Sequence, residues 1–146
     1  MYAFWFEDIR VGDTRLFGDA GVKAGDIVLF SERFAPYLPL RADKVIDEGR
    51  GPAAPQALLY GLWTRMLLEE TGNWPVRARL GQDALRWYRT AHAGDRLSVK
   101  LTFVAKDDVA PDHGLLIAQH EVMNENGELV FSIMTRTLVD KEPRED

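Results

Sequence analysis

GPAAPQALLYGLWTRMLLEETG, residues 51–72, is the stretch on which the fold turns. Pro52 or Pro55 suits the first turn of a helix, where a missing N–H costs nothing, and Gly72 suits its end. The spacing predicts a helix from about Pro52 to Thr71. Leu58, Leu59, Leu62, Met66 and Leu67 share one face, and Ala57, Tyr60, Gly61 and Trp63 make much of the rest apolar or small. A helix apolar on most sides calls for burial all round, so Leu58, Leu62 and Met66 should be nearly inaccessible to water.

Downstream of Gly81 the hydrophobic period changes from that of a helix to two. ALRWYRT (84–90) reads as a strand and HAGD (92–95) as a turn. Leu97, Val99, Leu101 and Phe103 then alternate with Ser98, Lys100, Thr102 and Val104, the pattern of a half-buried strand. Leu116, Ala118 and Val122 lie on one face of the next strand. In NENGE (124–128), Asn126-Gly127 is a hairpin signal because both residues tolerate positive φ. The last strand opens with Leu129, Phe131 and Ile133 and runs to about Val139. Upstream, VGD (11–13) is a turn, and AGDIVLFSERF (24–34) is a short helix in which Asp26 can cap and Ile27, Phe30 and Phe34 share a face. Pro36 ends it. One apolar helix before at least three consecutive antiparallel strands gives an α+β architecture, a curved antiparallel sheet wrapped around a long central helix.

The composition bounds the function. At 146 residues, with 46% apolar and 28% charged residues, the chain is a globular domain, expected to span 1–139 and to be followed by a disordered charged tail at 140–146. The net charge of −5 argues against a nucleic-acid partner. No run reaches the length of a membrane helix. The start of the chain lacks a basic region followed by a long apolar one, so no signal peptide is read. The absence of cysteine excludes a disulfide scaffold and thiolate zinc sites and fits a cytoplasmic location. Seven basic residues between 77 and 106 (Arg77, Arg79, Arg86, Arg89, Arg96, Lys100, Lys106) form either a solvated strand face or a patch for a phosphate-bearing ligand.

Four segments, in order, resemble the MaoC-like dehydratases. FEDIRVGDT (6–14) resembles the family's F-E-D-x-x-V-G-D opening, and AGDIVLFSERF its helix before the active-site loop. ALRWYRTAHAGDRL (84–97) is similar to R-W-x-x-P-V-x-P-G-D-x-L, and EVMNENGELV (121–130) to V-x-N-Q-x-G-E-V-V. The resemblance implies a hotdog fold over residues 4–139, and it implies acyl-thioester hydratase–dehydratase chemistry on coenzyme A or acyl carrier protein. It also implies a dimer, homomeric or with a homologous hotdog subunit, with the acyl site between subunits.

Active members of that family use an Asp and a His in a D-x-N-P-x-H-like segment. Adding water across a conjugated double bond needs a base to activate the water and an acid to protonate the α-carbon. An N–H at the start of the central helix polarises the thioester carbonyl. Here the segment reads RFAPYLPLRAD (33–43). The Asp position falls on Ala35 or Pro36 and the His position on Arg41. Alanine and proline do not titrate, and arginine stays protonated. The dyad is therefore missing.

Gln56 keeps an N–H at the oxyanion position. Tyr37, Arg41, Asp43, Gln56, Arg86 and Trp87 are the candidate substrate-binding residues, with Arg86 or Arg89 facing a coenzyme A phosphate. Three functions remain open. One is a hydratase with displaced acid and base groups. Another is a non-catalytic subunit that binds acyl-CoA or supports an active homologue. The third is a hotdog thioesterase using Asp47 or Glu48. His92, His113 and His120 are conceivable replacement bases, but His120 lies on the apolar side of a strand, where a hydrogen-bonded core histidine is expected. No histidine pair has metal-ligand spacing, so no metal and no cofactor other than the thioester carrier is expected.

Overall fold

The computed structural model describes residues 4–35 and 52–144. A single 3₁₀ turn (Phe6–Asp8) leads into strand β1 (Thr14–Gly21) and helix α1 (Ala24–Phe34). Helix α2 (Gln56–Thr71) follows, then strands β2 (Val76–Trp87), β3 (Arg96–Asp107), β4 (His113–Met123) and β5 (Leu129–Asp140). All strand pairs are antiparallel, in the order β1-β3-β4-β5-β2. Among the described residues β1 and β2 are thus the sheet edges. Among the described residues no helix is long and apolar enough to cross a membrane.

The alternation in β3 holds as read: Leu97, Val99, Leu101 and Phe103 are all buried against the helix side, and β4 adds Leu116, Ala118, His120 and Val122 to the same face. α2 packs on it through Leu59, Trp63, Met66 and Leu67. A second apolar cluster (Phe6, Ile9, Leu101, Phe103, Leu116, Ala118, Val139) closes the other end of the sheet.

Several expectations need correction. α2 begins at Gln56, because Pro55 is extended (ψ 141°) and serves as the residue before the helix. The helix is not buried all round. Met66 is 2% exposed, but Leu58 and Leu62 are only half-buried and Leu68 is 49% exposed. A single five-stranded sheet covers one side of a helix, and that side carries Trp63. In α1 the inward residues are Ile27 and Ser31. Phe34 is 73% exposed and stacks on Phe30 instead. Asp26 lies inside the first turn of α1 rather than at its cap.

β2 starts at Val76, eight residues before the expected strand at 84–90, and absorbs a bulge in which Ala84 adopts φ 53°. In the 124–128 hairpin only Gly127 takes positive φ (75°). Asn124 holds the turn by accepting the Asn126 and Glu128 N–H groups on its side-chain oxygen. The tail is tied down further than expected. β5 runs through Asp140, the Lys141 N–H bonds Asp112 O at 2.9 Å, and the Glu142 N–H bonds the Glu7 carboxylate.

Two glycines carry opposite constraints. A Cβ on Gly114 would lie 2.2–2.4 Å from the Phe6 ring, whereas one on Gly61, on the outer face of α2, meets nothing within 4 Å. Gly114→Ala should destabilise the fold by about 1–3 kcal/mol through overpacking. Gly61→Ala should stabilise it by about 0.5–1 kcal/mol by reducing the freedom of the unfolded chain. Urea unfolding of the two variants checks the pair, and equal effects would refute the packing account.

Candidate functional site

The start of α2 is built by a short pairing of the segment before it with the turn after β2. Ala53 bridges His92, the Ala54 N–H bonds Ala91 O at 2.8 Å, and the Ala93 N–H bonds Pro52 O at 2.7 Å. Asp95 closes the turn by accepting the His92 N–H at 2.9 Å. This fixes the direction in which α2 enters the core. Pro55 O accepts the Leu58 and Leu59 N–H groups, and the N–H groups of Gln56 and Ala57 begin the helix with no carbonyl of a preceding turn to bond.

A cleft of about 230 Å³ opens beside this end, lined by Ala54, Gln56, Leu59, Trp87, Tyr88, Arg89 and Thr90. Trp87 is half-buried and stacks on Phe131 at 4.5 Å between ring centres, so it is both a packing residue and a wall. The Tyr88 hydroxyl lies 3.3 Å from Ser132 Oγ. Arg89 is engaged: its guanidinium pairs with Glu128 at 2.8 Å and donates to Leu129 O.

The structure thus brings together Gln56 and Trp87 of the candidate residues. Arg86 is exposed on β2 and does not line the cleft. Ala35 is half-buried at the C-terminal end of α1, its N–H bonded to Ser31 O. Pro36, Tyr37, Arg41, Asp43, Asp47 and Glu48 lie outside the described residues. Tyr88 and Thr90 were missed in the sequence although they flank the RW pair. Their exposure to a cleft depends on how β2 leaves the sheet after its bulge.

The basic residues do not form one patch. β2 and β3 are separated by β5 and β4, and most of these side chains are paired locally. Arg77 bonds Asp140 at 2.7 Å and Asp112 at 3.1 Å, Arg96 bonds Asp19 at 2.7 Å, and Lys106 Nζ donates to Ile9 O. A solvated, ion-paired surface is the reading that holds. The Asp19 carboxyl is held below the usual range by its hydrogen bond to Arg96, and Asp112 by its bonds to His113 and then Arg77.

None of the three histidines lines the cleft. His113 sits in the surface cluster with Asp112 and Arg77. His92 is buried beneath the Ala53 bridge, its Nδ1 without a hydrogen-bond partner. His120 is 1% exposed behind the C-terminal half of α2. The Trp63 indole can only donate, and its N–H meets His120 Nδ1 at 3.3 Å, so the imidazole proton resides on Nε2, 2.9 Å from Thr135 Oγ1. Burial, reinforced by the Arg79 charge, pushes the imidazole down to about 4. His120 is a structural group of the core.

No family model matches this chain, and no curated protein does. Solved structures do. A MaoC-like dehydratase from Rhodospirillum rubrum is 26% identical over 97% of this chain and 100% of that one, with a TM-score of 0.80. A Mycobacterium tuberculosis protein with a double hotdog fold is 19% identical with a TM-score of 0.79, over 97% of this chain but 46% of its own. The unliganded R-hydratase of Pseudomonas aeruginosa is 20% identical over 97% and 92%, with a TM-score of 0.69. The antiparallel five-stranded sheet against a central helix is therefore the hotdog fold. Within that fold, the chain is similar to the MaoC-like dehydratases.

The His120 assignment has a pH consequence. The folded value of about 4 lies below the ordinary 6.5, so the unfolded chain takes up a proton that the folded chain refuses. Stability should be fully present above about pH 6.5 and fall by about 3 kcal/mol as the pH drops to about 4. His120→Gln should flatten this interval. Denaturant unfolding of both proteins across that range is the measurement, and parallel profiles would rule the assignment out.

Proposed function

We propose that this protein binds an acyl thioester, on coenzyme A or an acyl carrier protein, at the N-terminal end of α2, and that it has lost the hydratase reaction at that site. The observation that carries the reading is the pairing of a kept feature with a missing one. The Gln56 N–H begins the central helix beside an open cleft walled by Trp87, Tyr88 and Thr90. A free N–H at a helix start, reinforced by the helix dipole, is suited to a polarised carbonyl oxygen. The acid and base positions carry Ala35 or Pro36 and Arg41, which can neither accept nor deliver the protons of hydration. The MaoC-like dehydratase and R-hydratase neighbours support a hydratase–dehydratase likeness. A hydratase with displaced groups and a thioesterase using Asp47 or Glu48 are the outcomes against which this reading is tested.

The working unit is a dimer, of two copies or with a homologous subunit. Among the described residues β2 is an edge strand with Leu80 (57%) and Leu85 (43%) exposed along it, followed by the exposed Tyr88 (53%). An unpaired edge carrying apolar side chains is a template for a further strand. This chain also matches less than half of a double hotdog, whose second unit a partner would supply. Light scattering at micromolar concentration should give a mass above the 16.5 kDa of one chain. A lone monomer that stays monomeric with candidate homologues would sink the proposal.

Hydration of crotonyl-CoA and a longer enoyl-CoA tests the chemistry. The expected result is saturable binding without turnover. Robust turnover would mean that the acid and base moved, and thioester cleavage would favour Asp47 or Glu48. Restoring Ala35→Asp together with Arg41→His should raise hydration, since one general acid–base contribution is worth roughly 10²- to 10⁴-fold. Gln56→Pro removes the amide together with the Gln56 side chain, and Gln56→Ala, which keeps the amide, separates the two. Proline is tolerated at the first helical position, and Pro55 at ψ 141° already has the extended backbone that a following proline requires. The helix should form as before while acyl-CoA affinity drops by about tenfold.

A further inference from the structure

At the opposite end of α2, about 21 Å along its axis from Gln56, a second cleft of about 290 Å³ is lined by Phe4, Arg15, Glu70, Asn73 and Trp74. It is independent of the acyl-thioester reading. The Arg15 guanidinium lies over three aromatic rings at once, 5.1 Å from Phe4, 5.3 Å from Trp74 and 5.9 Å from Phe103. Phe4 and Trp74 pack on each other at 4.8 Å, which makes a rigid platform. A guanidinium held by its face presents its N–H edges outward, in the fork geometry that matches a carboxylate.

Those N–H groups have no acceptor among the described residues, and neither Glu70 nor Asn73 makes a side-chain hydrogen bond or ion pair there. Arg15 and Glu70 line the same cleft with opposite charges and are not within ion-pair distance of each other. Several other surface charges are joined, as in Arg65–Glu69, Arg89–Glu128, Arg96–Asp19 and Arg136–Asp83. Two opposite charges kept apart across a cleft are complementary to a ligand that carries both charges on one small frame.

We propose that this cleft is a binding site for a free α-amino acid. The carboxylate takes the Arg15 fork, the ammonium meets the Glu70 carboxylate and the Asn73 side-chain oxygen, and the Phe4–Trp74 platform borders the amino-acid side chain. The pairing is neutral overall, so the site discriminates against simple carboxylates and simple amines, each of which leaves one charge unmatched.

The test is a panel of the L-α-amino acids at millimolar concentration, with acetate and ethylamine as single-charge probes. It is read from the Arg15 Nε–H and Trp74 indole N–H signals in nitrogen-edited NMR spectra. At least one amino acid should shift both signals saturably, while acetate and ethylamine do not. Arg15→Met, which keeps contact with the rings but removes the fork, and Glu70→Gln should each weaken binding by at least about tenfold, the scale of a charge-assisted hydrogen bond. Unchanged circular dichroism confirms that both variants fold. No saturable shift with any amino acid would overturn the proposal. Acetate binding as well as the amino acids do, or a Glu70→Gln variant that binds as tightly as the parent, would overturn it too.

Discussion

The contact on which the rest depends is the seat of Trp63 on His120. The indole is 1% exposed, meets the imidazole edge-on at 5.2 Å and donates its N–H to Nδ1. An unsatisfied indole or imidazole in this position would cost more than the bond contributes, so the pair admits one rotation of α2 and one register of β4. Thr135 on β5 completes the chain from helix to sheet, and β5 carries β2 at its outer edge. Fixing the helix rotation places Gln56 at one end and Glu70 at the other. Both clefts therefore inherit their geometry from a contact that belongs to neither.

The two ends of α2 differ in kind. The N-terminal end is shaped by backbone, through the Ala53–His92 bridge, the extended Pro55 and the first unbonded N–H groups. Such an end suits a polarised oxygen and needs little from side chains. The C-terminal end is shaped by side chains: Arg15 from β1, Phe4 from before the 3₁₀ turn, and Trp74 from the exit of the helix. These come from three separate parts of the chain, and the aromatic cluster beneath them is part of the second apolar core.

Among the described residues the single-chain fold leaves one aspect of α2 and both sheet edges, β1 and β2, without a partner strand or helix. Leu58 and Leu62 are half-buried and Leu68 is exposed on that aspect of α2, and Leu80 and Leu85 are exposed on the edge strand β2. Periodicity reports that a residue avoids water and is silent on which neighbour covers it.

Legibility followed the range of the interactions. The alternation of Leu97 to Phe103, the hairpin glycine at 127 and the helix ending at Gly72 were readable because each is set by neighbours within a few residues. The proposed loss of the dyad rests on sequence alone, since Ala35 and Pro36 cannot titrate and Arg41 stays protonated. Tertiary structure alone decided which face of α2 is inward, that Ile27 and Ser31 rather than the phenylalanines anchor α1, and that β2 begins at Val76, paired residue by residue with β5. It also decided that the basic residues of β2 and β3 are set apart by two intervening strands, that His120 is kept neutral by burial and its tautomer set by an indole fifty-seven positions earlier, and that Arg15 rests on rings from three segments. Each of these depends on atoms distant in sequence meeting within a few ångströms, which is a property of the packed chain and not of any window along it.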